Sequence, residues 1–281
     1  MSVLAVAEKD FRDAIRSRLM IVVAVMFVVF TGGGIALGAA VFDRISAEGA
    51  VALITVVMLE GSRVFIPLIA LGIAFRSIAG ERQSGSLKVL LSLPNSRLDV
   101  VLGKFLGRTA VVSVAIVLGF LSLLIASALS FSGDLDVLGL VGFMLAALLL
   151  AVVFVSIAVS LSAFTDSTFG AAVGAGGLFV LFQFAWRGVV FLLRYVANGL
   201  ETPDRGAEIP EWAEVLQSVN PMEGWQTSAN WLITKLAESS ETSQESADAF
   251  YLEPWFGFVV LALWIVLPLV VGYLRFESAD L

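Results

Sequence analysis

Long apolar runs alternate with short polar segments along this chain. Six of the runs, Leu19 to Phe42, Val51 to Phe75, Arg108 to Phe131, Leu138 to Phe164, Thr168 to Val190 and Pro254 to Leu274, reach the length that a helix needs to cross a bilayer. About 20 residues at 1.5 Å each span roughly 30 Å of hydrocarbon. The pattern predicts an all-α membrane protein of six spans forming a single domain over 1–281. The first run is too long for a signal-peptide core and has no small-residue cleavage site after it, so it reads as a span. The Gly- and Ala-rich stretch "GAAVGAGGLF", Gly170 to Phe179, suits either close helix packing or a pliable helix.

Shorter periodicities mark the segments between the spans. In Ser2 to Arg18, Leu4, Ala7, Phe11 and Ile15 fall on one stripe, with Glu8, Lys9, Arg12, Asp13 and Arg16 mostly off it. Three-four spacing of this kind predicts an amphipathic elbow helix over 1–18, lying in the inner interface. Between spans 2 and 3, over 76–107, a short helix is expected from about Ser86 to Leu93. Pro94 ends it, and "NSR" turns the chain into a segment where Leu98, Val101 and Leu102 share a face. A charged hairpin joined directly to two spans would work as a lever. Between spans 5 and 6, over 191–253, "PEWAEVLQSVNP" puts Trp212, Val215, Leu216 and Val219 on one face, with Trp225, Trp231 and Trp255 nearby. Indoles favour the membrane interface, so two short helices are expected to rest on the outer leaflet as a cap or lid. The Ser/Glu-rich piece Glu238 to Asp248 reads as a mobile loop.

Composition agrees with a membrane protein: 59% of the 281 residues are hydrophobic, 15% are charged, and the mean hydropathy is +0.96. Soluble domains are about 45–50% apolar. Basic residues cluster at Lys9, Arg12, Arg16 and Arg18, and at Arg76, Arg82, Lys88, Arg97, Lys104 and Arg108. Placing both clusters in the cytoplasm puts both termini inside. The net charge of -7 comes largely from the outer side, where Leu200 to Pro254 holds eleven acids and two bases. That balance repels nucleic acid and reads as a solvated acidic surface or a cation-attracting vestibule. Histidine and cysteine are absent, which removes serine–histidine catalysis, imidazole relays, thiolate metal sites and disulfides. The sequence contains no GxxxxGK[ST] motif, so this chain has no P-loop for ATP. No bound cofactor is expected.

Three charges fall inside apolar runs. Glu60 and Arg63 sit three apart on one face of span 2, and Arg187 lies near the outer end of span 5. Intramembrane charges pair, face water or snorkel. Glu60 is therefore expected to pair with Arg63 or Arg187 as a latch on the outer side.

The stretch "ERQSGSLKVLLSLPNSRLDVVLGKFLG" resembles the cytoplasmic signature of the ABC-2 family of ATP-binding-cassette transporter permeases. Glu81, Gly85, Ser86, Leu87, Leu90, Leu91, Pro94, Ser96, Arg97, Leu102, Gly103 and Lys104 fit its pattern. Among subfamilies, "PLIALGIAFRSIAGE", Pro67 to Glu81, is most similar to the permease of the copper-site maturation system of nitrous oxide reductase. Gln83, Ser84 and Lys88 depart from positions that often carry Glu, Arg and Glu in the family. The resemblance implies an exporter permease that works as a dimer with a second permease copy. Two separate cytoplasmic ATPases, holding ATP and Mg, would dock on the elbow helix and on a coupling helix between spans 2 and 3. It assigns the coupling role to Glu81 and to Gly85 through Leu93, supported by Pro94 and Arg97, with the "FTDST" turn, Phe164 to Thr168, as a second contact. An extracellular partner for the outer insertion is a further expectation. The competing class, a gradient-driven secondary carrier or a non-transporting scaffold, would call for internal repeats in the carrier case, and none is clear here.

Overall fold

The computed structural model describes residues 2–41, 47–130, 136–202, 209–236 and 249–279, with the backbone alone at 41 and over 47–57. The loop expected over Glu238 to Asp248 lies outside the described residues, as do Asp43 and Asp134 of the outer loops. All regular structure described is helical. Among the described residues six helices are long and apolar enough to cross a membrane, which is the expected number: Arg18–Ala40, Met58–Ser84, Arg97–Ser130, Val137–Phe164, Thr168–Ala197 and Pro254–Glu277, called spans 1 to 6 below.

Span 4 is the hub. Of its most apolar stretch 67% is buried, against 17% for span 5, because spans 2, 3 and 6 and an outer helix all pack around it. Small residues allow the approach. A Cβ at Gly272 of span 6 would lie 2.7 Å from the Ser160 Cα of span 4. Alongside, Ser156 donates to the Ile265 carbonyl at 2.6 Å and Ser160 donates to the Pro268 carbonyl. In lipid, where apolar burial gives helices little reason to associate, such packing and hydrogen bonds hold a bundle together.

Span 3 is 34 residues, about 51 Å at helical rise, and so outruns the hydrocarbon. It starts at Arg97 because Ser96 and Asp99 cap it reciprocally: the Ser96 N–H donates to Asp99 Oδ2 at 2.9 Å, and the Asp99 N–H donates to Ser96 Oγ at 3.0 Å. The apolar run alone had placed this start at Arg108. Spans 1 and 5 each contain a π-helical turn, Val29–Gly33 and Leu181–Ala185.

The amino-terminal helix is Val3–Ile15, and the face it turns to the protein is not the expected apolar stripe but the one beside it. Its buried residues are Val6, Asp10 and Ala14, whereas Leu4, assigned to the apolar stripe, is 72% exposed. The helix lies against the projecting start of span 3, where a Cβ at Gly103 would be 2.6 Å from the Val6 Cβ.

The outer insertion departs most from expectation. Helix Pro221–Leu236 wedges into the bundle against spans 4 and 6 instead of resting on the outer leaflet, whereas helix Glu211–Ser218 stays at the periphery beside span 5, burying Ala213 and leaving Trp212 exposed. Trp225 is fully buried and donates its indole N–H to the Ala146 carbonyl of span 4 at 2.8 Å. Trp264 and Trp186 donate to the carbonyls of Val219 and Leu216 at 2.9 and 3.1 Å. Buried Asn220 caps the wedge helix through the Met222 N–H, and its amide donates to the Phe182 carbonyl in the π-helical turn of span 5, each at 2.9 Å. An indole whose N–H finds a carbonyl inside the bundle has no need of the interface. Tyr251 closes the wedge by donating to Glu214, a bond that pushes its phenol up to about 12. That contribution is complete below pH about 10, the ordinary tyrosine value, and is lost as pH rises through about 12.

Candidate coupling site and outer charge cluster

Four ionic side chains meet where the amino-terminal helix, the loop after span 2 and the start of span 3 converge. Lys104 Nζ lies 2.8 Å from Asp10 Oδ1 and 2.5 Å from Glu81 Oε1. Arg108 also reaches Asp10, its Nη2 donating to Oδ1 at 3.1 Å, and its Nη1 donates to the Ile73 carbonyl at 3.1 Å. Its Nε is 2.9 Å from Asp10 Oδ2, off the hydrogen-bonding direction. The side chains of Asp10 and Lys104 are 2% and 5% exposed. Two acids and two bases balance, which is the condition under which such burial is tolerable. Gly107 makes room, since a Cβ there would lie 2.8 Å from Asp10 Oδ2.

Glu81 therefore faces inward, and its carboxylate is committed to Lys104 instead of being offered to a basic partner. Gly85 separates two short helices, Ala79–Ser84 and Ser86–Ser92, at φ 76°. Nothing lies within 4 Å of a Cβ placed there, so the glycine serves the left-handed turn and not a close approach. Ser86, assigned to coupling, is exposed and starts the second helix, and its hydroxyl lies 2.9 Å from that of Ser84. That helix matches the expected Ser86 to Leu93 within one residue. Leu87 and Leu90 are buried and Leu91 is half-buried, so these three hold the helix to the bundle, and Lys88, Val89 and Leu93 form its free face. Pro94 follows Leu93, which is extended as a residue before proline prefers. Arg97 caps the end of span 6, donating to the carbonyls of Phe276, Glu277 and Ala279 at 2.5, 2.7 and 2.9 Å. The sequence offered no hint of that contact.

The "FTDST" turn joins this assembly. Arg82 pairs with Asp166, Thr168 donates to Gln83 at 2.9 Å, and Ser162 accepts from the N–H groups of Ile78 and Ala79 at 3.0 Å each. One solid unit thus links the amino-terminal helix, the loop helices and spans 2, 3, 4 and 6.

On the outer side the expected latch is not formed. Glu60 is exposed and pairs with neither arginine among the described residues. Glu223 of the wedge takes its place, 3.6 Å from Arg63 and 3.4 Å from Arg187, and Arg63 also donates to Gln226 at 2.7 Å. The wedge helix packs on spans 4 and 6 and so brings Glu223 to the arginines of spans 2 and 5, a placement that no local spacing reveals. No group of acids, His or Cys suited to a metal ion is present among the described residues.

A bundle of membrane-length apolar helices with a buried ionic assembly at one end is the architecture of a multi-pass membrane protein. The chain belongs to the ABC-2 family: the family model described as ABC-2 family transporter protein matches residues 4–281. It is similar to the probable ABC transporter permease protein NosY of Stutzerimonas stutzeri, 32% identical over 203 residues, covering 71% of this chain and 73% of that one. NosY of Pseudomonas aeruginosa is 31% identical over 206 residues, covering 72% and 74%. Membership makes this chain a transmembrane permease subunit and implies ATP-binding partner subunits.

Proposed function

We propose that this permease exports its substrate as a dimer driven by two cytoplasmic ATPase subunits, with both termini in the cytoplasm. The observation that carries the coupling role is the buried Asp10–Lys104–Glu81 network. It joins the two surfaces on which the ATPases would dock, the amino-terminal helix and the loop helices, to the shaft of span 3. A push on the loop moves Glu81, and Lys104 and Asp10 carry the displacement into span 3 and the amino-terminal helix. The docking surface is the free face with Lys88, Val89 and Leu93, where Val89 is 68% exposed.

The test is reconstitution with an ATPase subunit. The chain alone should hydrolyse no ATP. Val89→Asp should leave thermal stability unchanged, because it adds a charge to an exposed position, yet reduce ATP-driven transport at least about tenfold. Wild-type transport by that variant would remove this face from the docking surface.

The orientation has its own check. Single cysteines at Ser92 and Ser240 can be read directly, since the chain has no other cysteine. Impermeant maleimide on intact cells should label Ser240→Cys and spare Ser92→Cys, and the reverse result would invert the topology.

A further inference from the structure

Spans 5 and 6 both pack on span 4 and touch each other through the rings of Phe182 and Trp264, whose centroids are 4.8 Å apart. Beside that contact they leave a cavity of about 570 Å³. Span 6 forms one wall, a stripe at three- and four-residue spacing that runs from Phe256 through Leu263 and Leu267 to Val271. Leu161 of span 4 and Leu178 of span 5 stand opposite. Leu263, Leu267 and Val271 are each about half exposed, so the cavity is a groove open on its membrane side. Ser160 and Trp264, which also line it, already donate to the carbonyls of Pro268 and Val219, so the groove offers an occupant no free donor.

Size decides what can enter. Phe256 to Val271 is fifteen positions, about 22 Å at helical rise. A volume of 570 Å³ spread over that length leaves a mean cross-section of about 25 Å². A helix with its side chains is about 10–12 Å across and needs roughly three times that area or more, so a partner's helix does not fit. A single acyl chain does, and one leaflet supplies about 15 Å of it, half of the hydrocarbon thickness.

The half of the groove nearer the coupling site leads to a cation. Both walls continue in register past its end: Arg275 follows Val271 by four on span 6, and Phe164 follows Leu161 by three on span 4. The Arg275 guanidinium lies over the Phe164 ring, 5.8 Å from the centroid. Arg275 is exposed and has no acid partner among the described residues. Stacking on an aromatic face leaves the donor edge of a guanidinium free, and that fork matches two oxygens of a phosphate.

We propose that this groove holds one anionic phospholipid from the leaflet on the coupling-site side, with an acyl chain along Val271, Leu267 and Leu263 and the phosphate on Arg275. A zwitterionic headgroup brings its own cation near Arg275 and an anionic one does not, which sets the preference. The chain fills the gap between spans 5 and 6. It thereby props span 5, of whose most apolar stretch only 17% is buried, against the hub.

The test is native mass spectrometry of the purified full chain, exchanged into micelles with phosphatidylglycerol or with phosphatidylcholine of the same acyl chains. Wild type should retain one phosphatidylglycerol per chain with a preference of about tenfold, the effect of one hydrogen-bonded charged contact. Arg275→Gln should abolish the preference. Leu267→Trp, which fills the groove from an exposed position, should cut retention of both lipids, whereas Val270→Trp, at the same depth but outside the groove, should change nothing. Phosphatidylglycerol should also raise the melting temperature of wild type and Val270→Trp more than that of the other two variants, and inorganic phosphate should raise none. The site is overturned by any of five results: no preference in wild type, a preference that survives Arg275→Gln, equal retention by Leu267→Trp and Val270→Trp, a melting shift reproduced by inorganic phosphate, or a protein retained in place of lipid.

Discussion

Asp10→Ala is expected to destabilise the purified permease by about 3 kcal/mol, the lower end of the range for removing one partner from a buried ion pair. The reason is the imbalance it leaves. Lys104 and Arg108 both converge on Asp10, and afterwards two cations would share Glu81 and the Ile73 carbonyl. Lys104 keeps one acid, which is why the upper end is not expected. Asp10→Leu combined with Lys104→Leu removes one charge of each sign and should cost clearly less than the sum of the two single changes. Denaturant or thermal unfolding of the four proteins gives the coupling energy directly, and additive effects would show that the four charges do not act as a unit. ATP-driven transport should fall in Asp10→Ala more than stability alone explains, because the amino-terminal helix loses its tie to span 3.

The second large effect is at Gly142 of span 4. A Cβ there would lie 2.5 Å from the Leu232 carbonyl oxygen, 2.9 Å from its carbon and 3.0 Å from the Ile233 Cα. All three atoms are backbone of the wedge helix, so no rotamer change relieves the clash. Gly142→Ala is expected to cost about 1–3 kcal/mol, and Gly142→Leu to lift the wedge away. Fully buried Ala229 reports this outcome: Ala229→Cys should resist maleimide in the parent and become reactive once Gly142→Leu is added. Gly72→Ala, with open space around it, should be close to neutral. If Gly142→Leu leaves both stability and labelling unchanged, the wedge is not seated against span 4.

Asp10 illustrates why part of the coupling site escaped the sequence. Val6, Asp10 and Ala14 recur every four residues, so an acid in the middle of a buried stripe was a legible signal. The stripe one position along, Leu4, Ala7, Phe11 and Ile15, is more apolar and drew the assignment instead. Glu81 and Gly85 were legible because a family signature and a turn requirement coincide there, but the direction of the Glu81 side chain was not. Glu223 carried no local signal among the many acids of the insertion. Arg97 was read as support for a turn, and the structure gives it the end of span 6 as well.

What the sequence determined by itself is the number of spans, the helix Ser86 to Leu93 within one residue, and the lack of a P-loop motif. These follow from length, local periodicity and motif, all properties of neighbouring residues. The tertiary structure decided which polar groups meet: Lys104 with Asp10 and Glu81, Glu223 with both arginines, and Trp225 with the Ala146 carbonyl. Those partners stand from 23 to 160 positions apart. In a low-dielectric interior each must be satisfied, yet many pairings satisfy the same composition, and only the packing of helices, set by where glycine lets backbones touch, selects among them.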